Sequence, residues 1–170
     1  ERTYSQCISV CDEKQVFVAT DDKRILEHCN SKKINAISTP NDCLTGTDRV
    51  ASCIDRLESE LYINVQGDEP IFNPTDLKNL IDKAVQNKEV IYNGYTEIKS
   101  EEQYRNRAVP KVVFDNDDNL IYMSRAPIPN NKDNRFLKSW RQVCAYSFPR
   151  NALIDFSKRK QNTKIGRAHV

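Results

Sequence analysis

Charge of one sign, long apolar runs and paired cysteines are what this sequence lacks. Its 170 residues carry 26 Lys and Arg against 24 Asp and Glu, a net charge of +2. No nucleic-acid or membrane partner is therefore called for, and an anionic ligand has to be met by local charges. No signal peptide or long apolar run precedes the six cysteines, and Cys7, Cys11, Cys29, Cys43, Cys53 and Cys144 include no C-x-x-C pair. They read as reduced cytosolic thiols, most of them small buried hydrophobes, and a thiol or metal sensor lacks its ligand spacing. Histidine is scarce as well: His28 falls on a charged helix face and His169 in the last six residues, which leaves no Ser-His-Asp triad. Chemistry here has to rest on a metal and on positioning.

What is present is an alternation of strand and helix, long enough for one domain with a real core and too short for two. It points to an α/β fold with a mostly parallel sheet covered on both faces. Gln15 to Thr20 reads as a strand, and Asp21 or Asp22 as the cap of a helix with the apolar stripe Ile25, Leu26 and Cys29. Ile34 to Ser38 is a second strand, ended by Pro40. Val50, Cys53, Ile54, Leu57 and Leu61 space one buried helix face, which delivers the chain to a strand at Leu61 to Val65. Asn73-Pro74 opens another helix, with Asn as cap and Pro at the first helical position, and a strand follows near Glu89 to Tyr92. The alternation then stops. Lys111 to Phe114 and Leu120 to Met123 flank Asp115 to Asn119 as the arms of a hairpin, ahead of a strand at Val143 to Phe148 and a helix at Arg150 to Lys160.

Four segments can carry chemistry. Gln66-Gly67-Asp68-Glu69-Pro70 leaves an apolar strand through a glycine turn with two carboxylates. In an open parallel sheet such positions face the ligand crevice, and a single Asp beside substrate phosphates is how Mg²⁺ is usually held. A solvated turn is the plainer alternative, because the same residues favour turns for backbone reasons. Leu44 to Arg49 places one glycine at a helix start, where backbone N–H groups suit an anion or a base edge, or where Thr45 or Thr47 simply caps. Ser124-Arg125-Ala126-Pro127-Ile128-Pro129 leaves the second hairpin arm with an arginine whose planar fork fits a carboxylate, or a surface salt bridge. Gln142, Cys144 and Tyr146 share one side of a strand that lines a pocket or packs. Asp115, Asp117 and Asn119 mimic the start of a calcium loop, but Leu120 and Ala126 stand where its Gly and closing Glu belong, so this is a turn.

Taken in order, Val18-Ala19-Thr20-Asp21, Thr45-Gly46-Thr47-Asp48-Arg49, Asn64 to Pro70 and Tyr122 to Pro129 closely resemble the CMP-Kdo synthetases, the 3-deoxy-manno-octulosonate cytidylyltransferases, over Glu1 to Lys164. The resemblance implies a Rossmann-like, GT-A-like nucleotidyltransferase fold: a three-layer sandwich with a mostly parallel sheet and an antiparallel hairpin extension. It implies transfer of CMP from CTP to the sugar acid Kdo with release of pyrophosphate, Mg²⁺ as cofactor, a cytoplasmic place in lipopolysaccharide assembly, and a homodimer formed around Lys111 to Met123. By the same resemblance Asp68 is the metal ligand, and Gln66 and Asp68 are the catalytic pair. Thr45, Gly46, Thr47, Arg49 and Gln66 meet the nucleotide, while Ser124, Arg125, Gln142 and Tyr146 meet the sugar acid. Gln142 stands where many members have a sugar-contacting His, which opens 8-amino-Kdo or a nonulosonic acid as acceptor. A non-catalytic nucleotide-binding module is the alternative from another class.

Both ends read as interrupted. Residue 1 is not Met, Glu1 to Val10 reads as the last turns of a helix, and the strand and basic phosphate loop that the resemblance calls for would precede it. A segment with a second metal-binding Asp would follow Lys164. Residues 1–164 are thus expected to form a partial cytidylyltransferase domain, truncated at both ends and without appreciable turnover by itself. Ile165 to Val170 is what a frame of a common sequencing adapter encodes, and reads as a non-native tail.

Overall fold

The structure is a computed structural model and describes residues 1–159. The chain is organised in two compact units. Among the described residues the first comprises Glu1–Ile91 and 147–159, and the second Tyr92–Tyr146. The tail at Ile165 to Val170 lies outside the described residues.

In the first unit, α1 (Arg2–Ile8) buries Tyr4 and Cys7. The Asp12 carboxylate accepts from the Lys14 N–H at 2.9 Å and winds Glu13–Gln15 into a 3-10 turn, so β1 is only Val18–Thr20, shorter than the apolar run suggested. Asp22, not Asp21, caps α2 (Lys23–Ser31), accepting from the Arg24 N–H at 2.8 Å. Next comes β2 (Ala36–Ser38), which pairs parallel with β1 in the register Val18↔Ala36, Ala19↔Ile37 and Thr20↔Ser38. These elements make a βαβ unit, the compact way to join parallel neighbours. Helix α3 (Gly46–Ala51) ends well before Leu57, although Cys53 and Ile54 beyond it remain buried. Then follow β3 (Leu61–Val65) and α4 (Pro74–Gln86), with the Asn73 carboxamide oxygen accepting from Thr75 N–H at 3.0 Å.

Between β1 and β3 this unit holds an apolar groove of about 710 Å³, with Phe17, Ala19, Val50, Ile63, Leu77 and Ile81 among its walls.

The second unit contains β4 (Tyr92–Glu97), α5 (Glu101–Arg105), β5 (Lys111–Phe114), β6 (Leu120–Ser124) and the first seven residues of β7 (Trp140–Pro149). Helix α6 (Arg150–Lys158) then returns the chain to the first unit. The hairpin is as expected: β5 and β6 are antiparallel, with Lys111↔Ser124 and Val112↔Met123. Its turn is closed by Asp115, whose carboxylate accepts from the N–H groups of Asp117 (2.9 Å) and Asn119 (2.8 Å). That is an Asx turn, not a calcium loop. At β4 the Asn93 carboxamide donates to the carbonyls of Val143 and Ala145, both at 2.9 Å. A Cβ on Gly94 would lie 3.2 Å from Val143 Cβ, so glycine permits this close approach to β7. Tyr104, Ile98 and Val112 are buried here, and Phe114 sits between Tyr95 and Trp140, with ring centroids at 4.3 and 4.9 Å.

The α/β class stands, but the mostly parallel sheet does not follow from the strand registers. Pairing is parallel at β1–β2 and antiparallel at β5–β6 and β5–β7. The cause is the hairpin: once β6 folds back on β5, no helical crossover is left to return a strand in the parallel sense. The strand expected near Glu89 to Tyr92 begins only at Tyr92, because the apolar pair Val90-Ile91 precedes a strand whose own residues are largely polar. No helix among the described residues is long and apolar enough to cross a membrane.

Candidate functional site

The residues singled out for chemistry divide between the two units, six in the first and four in the second. In the first, β3 runs directly into Gln66, which is half-buried, and into Gly67 and Asp68, which are exposed. The turn is closed by the Glu69 N–H donating to the Gln66 carbonyl at 3.2 Å, and the Thr3 hydroxyl donates to the Gly67 carbonyl at 3.0 Å. The Asp68 carboxylate makes no hydrogen bond or ion pair with the described residues. Among those residues no group of three His, Cys, Asp or Glu is gathered for a metal ion. A single unspent carboxylate still fits Mg²⁺, which keeps most of its waters and takes one or two carboxylates beside substrate phosphates.

The α3 start lies against this strand, since a Cβ on Gly46 would sit 3.5 Å from the Asn64 side-chain amide, two residues ahead of Gln66. Thr45 is the helix cap, accepting from the Asp48 N–H at 3.2 Å and donating to the Asp48 carboxylate at 2.5 Å. Its hydroxyl is thus engaged in the capping that was the plainer alternative, while Thr47 occupies the first turn, half-buried. The Arg49 guanidinium pairs with Asp21 at 2.9 Å and donates to the Thr39 hydroxyl. Asp21 follows β1 and Thr39 follows β2, so Arg49 pins the ends of both parallel strands to α3.

In the second unit, Ser124 ends β6 and accepts from the Ala126 N–H at 3.0 Å. Arg125 Nη1 donates to the carbonyls of Arg107 (3.1 Å) and Ala108 (3.3 Å), while its Nε is buried without a partner. That is neither a surface salt bridge nor a spent fork, because one edge of the guanidinium remains for an acceptor. Gln142 is buried on β7, and Tyr146 is half-buried, its phenol pushed up to about 12 by desolvation and then by the neighbouring Cys144 thiol. No disulfide joins any of the cysteines, and burial pushes the Cys7 thiol up to about 11.

Asp21, Thr39, Asn64 and Lys111 were missed as site residues. Asp21 and Asn64 meet Arg49 and Gly46 well along the chain, and Thr39 and Lys111 act through bonds to a guanidinium and to backbone carbonyls, none of which local spacing discloses. The one available signal was Lys111, a charge at the head of an apolar strand that buries both Lys111 and Val112.

The family model for cytidylyltransferases matches residues 1–164. The chain is 31% identical over 166 residues to a 3-deoxy-manno-octulosonate cytidylyltransferase of Protochlamydia amoebophila, covering 93% of this chain and 64% of that protein. It is 32% identical over 151 residues to an 8-amino-3,8-dideoxy-manno-octulosonate cytidylyltransferase of Shewanella pealeana, covering 85% of this chain and 61% of the relative. Among solved structures, a CMP:2-keto-3-deoxy-manno-octonic acid synthetase complexed with CTP superposes with a TM-score of 0.86 at 28% identity, over 95% of this chain and 67% of that one. The chain thus spans less than two thirds of the length of the Protochlamydia relative.

Proposed function

Because this chain belongs to the cytidylyltransferase family, we propose that the protein activates 3-deoxy-D-manno-octulosonate by transferring CMP to it from CTP. In this reading the anomeric hydroxyl oxygen bonds to the α-phosphorus, the bond from that phosphorus to pyrophosphate breaks, and the hydroxyl proton passes to solvent. No covalent enzyme intermediate is required. The fold behind it is the three-layer nucleotidyltransferase sandwich with its hairpin extension, and the product feeds lipopolysaccharide assembly in the cytoplasm.

The observation that carries the proposal is the Gln66 to Pro70 turn at the end of β3, with the exposed Asp68 carboxylate unspent and the α3 start packed on Asn64. Thr45, Gly46, Thr47, Arg49 and Gln66 contact the nucleotide. Asp68 holds Mg²⁺, which when bound offsets charge on the phosphate oxygens. Arg125 presents its unpaired Nε to the carboxylate of the sugar acid, with Ser124, Gln142 and Tyr146 around the same ligand. Arg49 orders its loop by pairing with Asp21, which favours a binding surface fixed before the nucleotide arrives. A homodimer through β6 is part of the proposal, as Leu120, Ile121 and Tyr122 are 55%, 64% and 60% exposed.

The full-length protein, assayed for pyrophosphate release with CTP, Kdo and Mg²⁺, is expected to turn over. Asp68→Ala should lower the rate at least about 100-fold, as loss of charge stabilisation does, and Arg125→Ala should raise KM for the sugar acid. Normal rates in Asp68→Ala would remove the metal assignment. A second acceptor is favoured by one observation: a relative is named for 8-amino-3,8-dideoxy-manno-octulosonate. Competition between Kdo and 8-amino-Kdo decides which is preferred.

A further inference from the structure

Lys111 is the one charged side chain in the buried set of the described residues, at 0% exposure. No described carboxylate pairs with it. Its Nζ donates instead to the backbone carbonyls of Asn106 at 2.6 Å and Arg125 at 3.2 Å. Taking an ammonium out of water without a counter-charge is costly, and an apolar side chain would pack at the head of β5 without that cost. Packing alone therefore gives no reason for a lysine here.

Its two acceptors do. Asn106 is the C-cap of α5, where unpaired carbonyls concentrate negative potential. Arg125 follows the last residue of β6, and its own guanidinium turns back to the segment after Asn106, with Nη1 on the carbonyls of Arg107 and Ala108 at 3.1 and 3.3 Å. Lys111 thus holds both ends of Arg125, the main chain directly and the guanidinium through the Asn106 to Ala108 segment. With Nη1 engaged, the edge formed by Nε and Nη2 is left over, and Nε is buried without a partner. Those two N–H groups point the same way, as a planar carboxylate requires.

We propose that Lys111 is a positioning residue that fixes Arg125 with this edge presented to a planar anion. Its functional half rests on the reading that Arg125 meets the carboxylate of the sugar acid; its mechanical half does not. The mechanical half is read by NMR on the chain with isotope-labelled arginine, the Arg125 Nε–H signal being assigned by its loss in Arg125→Lys. In Lys111→Met that proton should exchange at least about tenfold faster, as expected for one lost charge-assisted hydrogen bond, while the amides of Val112 and Val113 keep their protection. Lys111→Arg should restore the slow exchange. Unchanged Arg125 Nε–H protection in Lys111→Met overturns the proposal. Should Lys111→Met fail to fold, Lys111→Gln, which keeps a donor without the charge, takes the same two readings.

For function, Lys111→Met should raise KM for the sugar acid with KM for CTP unchanged, and should add nothing further in an Arg125→Ala background. Equal losses toward both substrates, or additive effects, would reduce Lys111 to a structural residue. If Arg125→Ala leaves the sugar-acid KM unchanged, it is the sugar-acid reading that fails, and the exchange result stands by itself.

Discussion

Tyr146 is a phenol held neutral by its surroundings. Its pKa stands at about 12 in the fold, raised first by burial and then by the Cys144 thiol, against roughly 10 in an unfolded chain. Above pH 10 the unfolded state therefore loses its proton before the folded state does. The stability Tyr146 contributes is complete below about pH 10 and lost as pH rises toward 12. Thermal midpoints followed through that window should fall more steeply for the protein than for Tyr146→Phe. Identical slopes would mean that the phenol is not shielded. Cys7, pushed up to about 11 by burial, loses its contribution in an overlapping range, so the difference between the two slopes is the quantity to read.

Helix α4 shows which elements local chemistry specifies. Asn73 caps it, Pro74 stands at its first position, and Leu77 and Ala84 form its buried face. Asn73→Ala should cost about 1 kcal/mol, as the loss of an N-cap does, read as a lowered urea midpoint with an unchanged slope. Signals of that kind lie within a few residues of one another, and so the α4 start, the hairpin turn at Asp115 and the strand at Leu61 to Val65 were all legible. Helix α5 was not, because its five residues bury only Tyr104 and show no period. The Gln66 to Pro70 turn was readable for the same local reason as α4. The tie of Arg49 to Asp21 and of Lys111 to Arg125 was not, since spacing along the chain carries no record of which distant carbonyl or carboxylate a cation will meet.

At the scale of the molecule, the hairpin presents three consecutive apolar side chains, Leu120, Ile121 and Tyr122, to solvent. An exposed apolar strand of this kind is a liability unless something covers it. In the proposed dimer a second copy does so. Sedimentation should show a dimer that Ile121→Glu converts to monomer with far-UV dichroism unchanged, and a wild-type chain monomeric throughout would discard the assignment. The groove between β1 and β3 acts in a different currency. Part of its wall, with Phe17 37% exposed and Ile63 half-buried, is already in contact with water in the folded state, while Leu77 is covered. Melting therefore hydrates less fresh hydrocarbon than a chain of this length normally hides, and the heat-capacity step should fall below the usual value of about 12–15 cal/mol/K per residue. A small step flattens the dependence of stability on temperature, so this unit loses little on cooling and approaches its melting point gradually.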